Sequence, residues 1–324
     1  MRRRDFLRKG TVAAAGLAAS KELLDPVGRA SATSNLAPIP RRRLGKTGAD
    51  LSIIALGGML VKDTEQTFAN NIVAEAFDRG INYFDVAPQY GNAQQKLGPA
   101  LESFRQRSFL ACKTLRRDKD GAATELEDSL RKLRTDHVDL YQFHAVTTKE
   151  DVEKIFGPQG AMETFQSARK AGKVRFIGFS AHSVENALVM LNHYDFDTIL
   201  FPINFVLFSQ ANFGPQVLAK AREKGMGILA LKSMAKSTWP AAERQKHPHP
   251  KCWYQPAALP EEAALGLRWT LSHPITAAVP PGDEQYFRLA MDVAQKFEPL
   301  MPEEEKALMA RAQGVEPIFH LAKA

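Results

Sequence analysis

The stretch Ile81-Asn82-Tyr83-Phe84-Asp85-Val86-Ala87-Pro88-Gln89-Tyr90-Gly91 decides the fold, because an apolar run stops there on a carboxylate with a tyrosine five residues further on. Two later runs end in the same way, Phe109-Leu110-Ala111-Cys112 on Lys113 and Val138-Asp139-Leu140-Tyr141-Gln142-Phe143 on His144. In a parallel β/α barrel the carboxyl ends of the strands converge on one face, so residues far apart in sequence can form one cluster. Asp85, Tyr90, Lys113 and His144 gathered in this way point to proton transfer to a carbonyl oxygen.

Outward from these runs, short apolar segments alternate with longer amphipathic ones. The spacing predicts strands near 52–56, 81–85, 108–113, 138–144, 174–180, 197–203, 227–232 and 276–280. It predicts helices near 65–79, 92–104, 122–134, 150–171, 183–193, 213–224, 260–272 and 284–297. Gly80, Gly172 and Gly225 each follow a helix pattern, where a left-handed backbone is cheap for glycine. Eight strand–helix repeats argue for an α/β protein with one closed (β/α)8 TIM barrel. An open doubly wound sheet usually carries a glycine-rich turn after its first strand, and Gly57-Gly58-Met59 lacks that spacing. Two stretches stand outside the repeat: the Pro-rich connection Met234–Leu259, a long loop after strand seven placed to close over a ligand, and the extension Met301–Ala324 with one helix pattern.

With 44% hydrophobic and 24% charged residues in 324, the chain has a sizeable core and no mark of disorder or of a fibrous repeat. Its net charge of +7 is concentrated at the start: residues 1–32 carry seven basic and three acidic side chains, which leaves only +3 for the rest. That remainder is too weakly basic to argue for nucleic acid. Arg3-Arg4-Asp5-Phe6-Leu7-Arg8 resembles a twin-arginine translocation motif, and a weakly apolar stretch from Thr11 to Ala19 and an A-x-A pattern at Ala30-Ser31-Ala32 follow it. We therefore expect residues 1–32 to be a signal peptide read by the twin-arginine machinery. Residues 33–324 are then a periplasmic barrel with no stable membrane anchor after cleavage, since the apolar stretch is too short to span a bilayer. Such export carries folded proteins, often ones already loaded with a cofactor. Cys112 and Cys252 are expected as buried free thiols: if Lys113 points into the barrel mouth, strand alternation turns Cys112 toward the helices.

The chemistry is coherent. A hydride arriving at a carbonyl carbon creates an alkoxide that must be protonated as it forms. A tyrosine with a pKa near ~10 is a slow acid at neutral pH, and a neighbouring ammonium lowers that value. Lys113 supplies the ammonium, Asp85 holds it charged and oriented, and His144 donates a hydrogen bond to the substrate oxygen.

Phe84-Asp85-Val86-Ala87-Pro88-Gln89-Tyr90-Gly91 resembles the strand-two motif of the aldo-keto reductase family. Further matches follow in order: Leu97-Gly98-Pro99-Ala100-Leu101, Lys113 ending strand three, Asp139 to His144 on strand four, and Gly172 to Ser180 on strand five. Arg43-Leu44-Gly45-Lys46-Thr47-Gly48 resembles that family's N-terminal β-hairpin, so the resemblance runs from about Arg42 to at least Arg288. It implies a nicotinamide nucleotide bound without a Rossmann domain, by side chains of the later strands. That half departs from the family's usual pattern. The Ser-Asn pair that holds the carboxamide appears as Ser180-Ala181 followed by His182, Leu200 or Phe201 falls where the strand-six Gln would stand, and the strand-seven Tyr is replaced within Ala230-Leu231-Lys232-Ser233-Met234. This chain is most similar to a branch with Ala-Met-Lys-Pro on strand seven. Ser180, Asn204 and Lys232 still offer donors and acceptors, Lys232 as a phosphate contact or as a salt-bridging strand end. Pro280-Pro281-Gly282-Asp283-Glu284 stands where NADP-preferring members carry Lys-Ser or Lys-Thr, and its two carboxylates repel a 2′-phosphate. Arg288, one turn on, compensates, which leaves NAD and NADP both open.

His247-Pro248-His249-Pro250-Lys251-Cys252 lacks the second ligand pair of a structural zinc site and reads as a polar loop, not a metal site. Trp239, Trp253 and Tyr254 nearby are expected to line the substrate mouth or clamp the nucleotide. The sequence thus implies NAD(P)H-dependent reduction of a small aldehyde or ketone, with Tyr90 as general acid. The alternative is an exported nucleotide-binding sensor or regulatory subunit on the same barrel, with little turnover. A barrel hydrolase would want paired catalytic carboxylates or metal clusters at the strand ends.

Overall fold

A computed structural model describes residues 37–321. The expected signal segment at 1–32 lies outside them. The chain enters through an antiparallel hairpin, β1 (Arg41–Arg43) and β2 (Asp50–Ser52). Barrel strands follow: β3 (Leu56–Gly57), β4 (Tyr83–Asp85), β5 (Phe109–Thr114), β6 (Val138–Val146), β7 (Val174–Ala181), β8 (Thr198–Pro202) and β9 (Gly227–Leu231). A second hairpin, β10 (Ala235–Thr238) with β11 (Tyr254–Pro256), precedes the last barrel strand, β12 (Ala277–Val279). All eight barrel strands are parallel, in the order β3-β4-β5-β6-β7-β8-β9-β12. A bridge between Ile54 and Ala278 closes the ring, with Ala55 N donating to Ala278 O and Ala278 N to Ile53 O, both at 2.9 Å. The expected (β/α)8 TIM barrel is the fold.

Strand alternation sorts the core into two shells. Leu44, Tyr83, Phe109, Leu140, Leu200 and Leu229 fill the barrel interior. Their strand neighbours Phe84, Leu110, Cys112, Tyr141, Phe143 and Ile228 face outward, into the larger layer under the helices. The same parity carries up each strand: inward positions continue from Tyr83 to Asp85, from Phe109 through Ala111 to Lys113, and from Leu140 through Gln142 to His144. Cys112 therefore lies buried among the helices as a free thiol, and Cys252 is buried and free as well.

The entry hairpin plugs the barrel floor. Leu44 is fully buried inside, and Lys46 N donates to Gly225 O at 2.9 Å. Gly45 has φ +49°, and a Cβ there would stand 2.2 Å from Gly227 N, so only glycine permits this approach.

The helices are α1 (Gln66–Asp78), α2 (Ala93–Leu101), α3 (Lys119–Leu133), α4 (Lys149–Phe156), α5 (Ala161–Lys170), α6 (Val184–His193), α7 (Phe205–Ala211), α8 (Pro215–Glu223), α9 (Pro260–Ser272), α10 (Glu284–Gln295) and α11 (Pro302–Ala312). The helix expected over 150–171 is two helices. Gly157 is extended (φ −73°, ψ 176°) as the residue before Pro158 must be, and the break follows. The helix expected over 213–224 is preceded by α7, which the side chain of Asn204 caps by accepting from Leu207 N at 2.9 Å. The long connection after β9 is folded: Trp239 is buried, stacks on His247 at 4.0 Å and donates to Cys252 O at 2.8 Å. Among the described residues no helix is long and apolar enough to cross a membrane.

Candidate active site

Asp85, at the end of β4, and Lys113, near the end of β5, are 2% and 1% exposed in their side chains and are ion-paired through Lys113 Nζ and Asp85 Oδ1. Pairing strands of adjacent register and equal parity makes this contact, because Asp85 lies opposite Ala111, one inward step below Lys113. The other carboxylate oxygen accepts from Gln142 Nε2 and Tyr83 OH, each at 3.3 Å. Lys113 Nζ also reaches Tyr90 OH and Val86 O, both at 3.4 Å, and lies 5.1 Å from the centre of the Tyr90 ring.

The electrostatics of this cluster run against simple expectation for Tyr90. Burial raises the phenol above its ordinary value, the Lys113 ammonium pulls it down, and Asp85 pushes it up, with a net rise. Tyr90 thus rests as a neutral phenol, a loaded proton donor. Burial opposes the charge on Lys113, but Asp85 and then Tyr90 outweigh it, so its ammonium is held well above the ordinary range.

His144 stands at the rim of the cluster, its ring edge-on to Tyr90 with centroids 5.8 Å apart. A bulge in the β6–β7 register follows at Ala145, a non-glycine residue with φ +53°. The bulge is pinned from both sides: Ala145 N donates to Ser180 Oγ at 2.8 Å, and Arg117 Nη2 donates to His144 O at 2.7 Å. Burial, then the positive charges of Lys113, Arg117 and Lys232 together with His182, push the His144 ring down to about 2, so it is neutral. Its Nδ1 lies 3.1 Å from Gln89 Oε1, while Gln89 Nε2 faces Glu125 Oε1 at 3.5 Å. A carboxylate only accepts, so Gln89 turns its oxygen to His144 and Nδ1 carries the ring hydrogen. A half-turn of that amide lets Nδ1 accept and places the hydrogen on Nε2, provided the exposed Gln89 also swings its oxygen away from the Glu125 carboxylate.

The remaining expected positions divide. Ser180 and Lys232 line the same cavity as Asp85, Tyr90, Lys113 and His144. Asn204 lies beneath it, its Nδ2 donating to Lys232 O at 3.1 Å, and so supports the backbone at the end of β9. Arg288 is not brought to the cavity; on α10 its guanidinium is paired with Glu75 and Glu284. Trp253 and Tyr254 line the cavity and Trp239 does not. His249 Nδ1 lies 2.8 Å from Asp283 Oδ2, which fixes the loop to the start of α10. Two further residues reach the site: Lys251, which lines the cavity and donates to Leu60 O at 2.8 Å and which no sequence pattern marked, and Gln142, whose place two residues before His144 on the inward face was the available signal. The cavity holds about 190 Å³, with Leu200, Leu231 and Val279 as its apolar floor and Pro280–Gly282 on one side.

A buried carboxylate–ammonium pair, a neutral phenol on the ammonium and a neutral imidazole opposite can donate a proton to an oxygen and hold the resulting tyrosinate. The model of the aldo/keto reductase family matches residues 53–282. The chain is 31% identical over 155 residues to the uncharacterized oxidoreductase YqkF of Bacillus subtilis (strain 168), covering 44% of this chain and 48% of that protein. It is 32% identical over 161 residues to the aldo-keto reductase YhdN of the same organism, covering 44% and 47%. The matches thus span about half the length of these relatives. Among solved structures, the holo form of aldo-keto reductase AKR11C1 from Bacillus halodurans is similar with a TM-score of 0.67 at 21% identity, over 87% of this chain and 99% of that one.

Proposed function

The chain belongs to the aldo/keto reductase family, and from that premise we propose that it reduces an aldehyde or ketone to an alcohol with a nicotinamide nucleotide, Tyr90 acting as general acid. The observation that carries the reading is the dry Asp85–Lys113 pair with Tyr90 OH 3.4 Å from its ammonium. The residues present fit a nicotinamide ring. Ser180 Oγ accepts from Ala145 N and keeps its own hydrogen for a carboxamide oxygen, beside the apolar surface of Leu200 and Leu231. When bound, the reduced nucleotide supplies the hydride. The protein's own part is the proton. Tyr90 gives its hydrogen to the substrate oxygen as negative charge develops there, and Lys113 steadies the tyrosinate left behind. Asp85 keeps Lys113 charged and in place. His144, its Gln89 partner turned, donates from Nε2 and aims the carbonyl.

Export by the twin-arginine machinery, with cleavage after Ala32, belongs to the same proposal. It rests on Arg3-Arg4 and on Ala30-Ser31-Ala32. Mass spectrometry of protein recovered from periplasm reads both the cleavage point and any retained nucleotide; an uncleaved chain in that fraction would contradict the site given. Steady consumption of NADH or NADPH against a panel of aldehydes and ketones supports the enzyme. Oxidation of one equivalent of bound nucleotide and no more would instead make this a sensor.

A further inference from the structure

Two polar groups of the cavity are used by nothing described so far. The first is the ammonium of Lys232. Among the described residues no carboxylate pairs with it; it faces the rings of Trp253 and Tyr254, with 5.0 and 4.6 Å between nitrogen and ring centres. Such contacts recover only part of the cost of removing an ammonium from water. Its placement is built into the fold: Lys232 is a non-glycine residue with φ +64°, and Asn204 Nδ2 holds its carbonyl at 3.1 Å. The second is His182 Nε2, which is buried without a hydrogen-bond partner while its ring stacks on Phe319 at 5.0 Å.

The two groups line one cavity with His144, and the charge of Lys232 depresses both imidazoles. The charge balance of the cavity wall is one-sided. Asp85 is spent on Lys113, which leaves Lys232 and Lys251 without a countercharge there, and Lys251 already donates to Leu60 O. Burial, with Lys113 adding repulsion, lowers the Lys232 ammonium to about 8. At neutral pH it still carries its proton, and an anion beside it would lock that proton on.

We propose that Lys232 and His182 seat a carboxylate of the carbonyl substrate, which makes the substrate class a short oxo acid with its carbonyl at Tyr90 and His144 and its carboxylate at Lys232. This rests on the carbonyl-reducing reading above. Shortness follows from the cavity of about 190 Å³ shared by both ends. A nucleotide phosphate is the other chemical source of negative charge. In a dinucleotide a ribose separates the phosphates from the nicotinamide ring, whereas Lys232 lines the same cavity as Tyr90, Lys113 and His144, where the carbonyl is reduced.

Oxamate, the monoamide of oxalic acid and an unreducible isostere of a short 2-oxo acid, and the uncharged diamide oxamide are the probes, titrated calorimetrically into the full chain with and without NAD+. Wild type is expected to bind oxamate at least tenfold more tightly than oxamide. Lys232→Met is expected to lose that preference, Lys232→Arg to keep it, and His182→Leu to weaken it several-fold. In turnover, Lys232→Met is expected to lower the ratio of kcat/KM for an oxo acid to that for its amide at least tenfold. Equal oxamate affinity in wild type and Lys232→Met overturns the seat. So does a Lys232→Met defect confined to nucleotide affinity, which would assign the ammonium to a phosphate. If no carbonyl compound is turned over at all but oxamate binding depends on Lys232, the carboxylate seat stands and carbonyl reduction falls.

Discussion

Tyr90 keeps its proton in the resting site because burial and Asp85 together exceed the pull of Lys113. The sequence suggested a phenol made more acidic by its lysine; the structure shows the lysine already claimed by Asp85, so its help comes when the proton leaves. His144 follows from the same dryness. With its ring pushed down to about 2, it is neutral at every pH where the protein is useful. The pH profile of kcat/KM should therefore show no limb near ~6.5, the ordinary histidine value. Initial rates between pH 5 and 8 with a substrate that does not titrate there check this, and a limb near 6.5 abolished in His144→Gln would contradict it.

At the scale of elements, period-two alternation made the site legible. Once Asp85, Lys113 and His144 were set on inward positions at three strand ends, their meeting followed from parallel register. What was not legible depended on contacts between distant segments. Lys251 comes to the cavity only because Trp239, His247 and His249 fold the long connection back onto α10. Helix α7 hid in the apolar run Phe205-Val206-Leu207-Phe208, which has no period to read, and Gly157-Pro158 broke a helix whose amphipathic pattern runs straight through. The start of α10 also bears on the cofactor. Asp283 caps that helix through Gln285 N and Tyr286 N and holds His249, and Arg288 is occupied by Glu75 and Glu284. If the adenosine ribose lies at this helix start, as the family resemblance implies, a 2′-phosphate there meets a carboxylate and an arginine already paired. NADH is expected to be the better donor by about tenfold or more in kcat/KM, roughly 1.4 kcal/mol. A comparable or larger value for NADPH would show that another cation takes the phosphate.

For the whole molecule, the two cavity histidines impose a cost in acid. Folded, they take up protons only at about 2 for His144 and about 4 for His182, against 6.5 ordinarily. The unfolded chain therefore binds more protons below the ordinary value, so stability is full above pH ~6.5 and falls as pH drops. For rings partly open to solvent the loss is on the order of 1 kcal/mol each by pH 5. Urea midpoints at pH 7.5 and 5 read it, and substituting both histidines should flatten the difference; an unchanged difference would place the acid sensitivity elsewhere. On the proposed reading, the barrel gathers Asp85, Lys113 and Tyr90 to deliver one proton to a carbonyl oxygen. The most direct measurement pairs turnover with nucleotide binding in Tyr90→Phe, which keeps the ring and removes the donor. In that variant kcat is expected to fall about 10²–10⁴-fold with nucleotide affinity nearly unchanged, whereas turnover within a few-fold of wild type would remove Tyr90 as the proton donor.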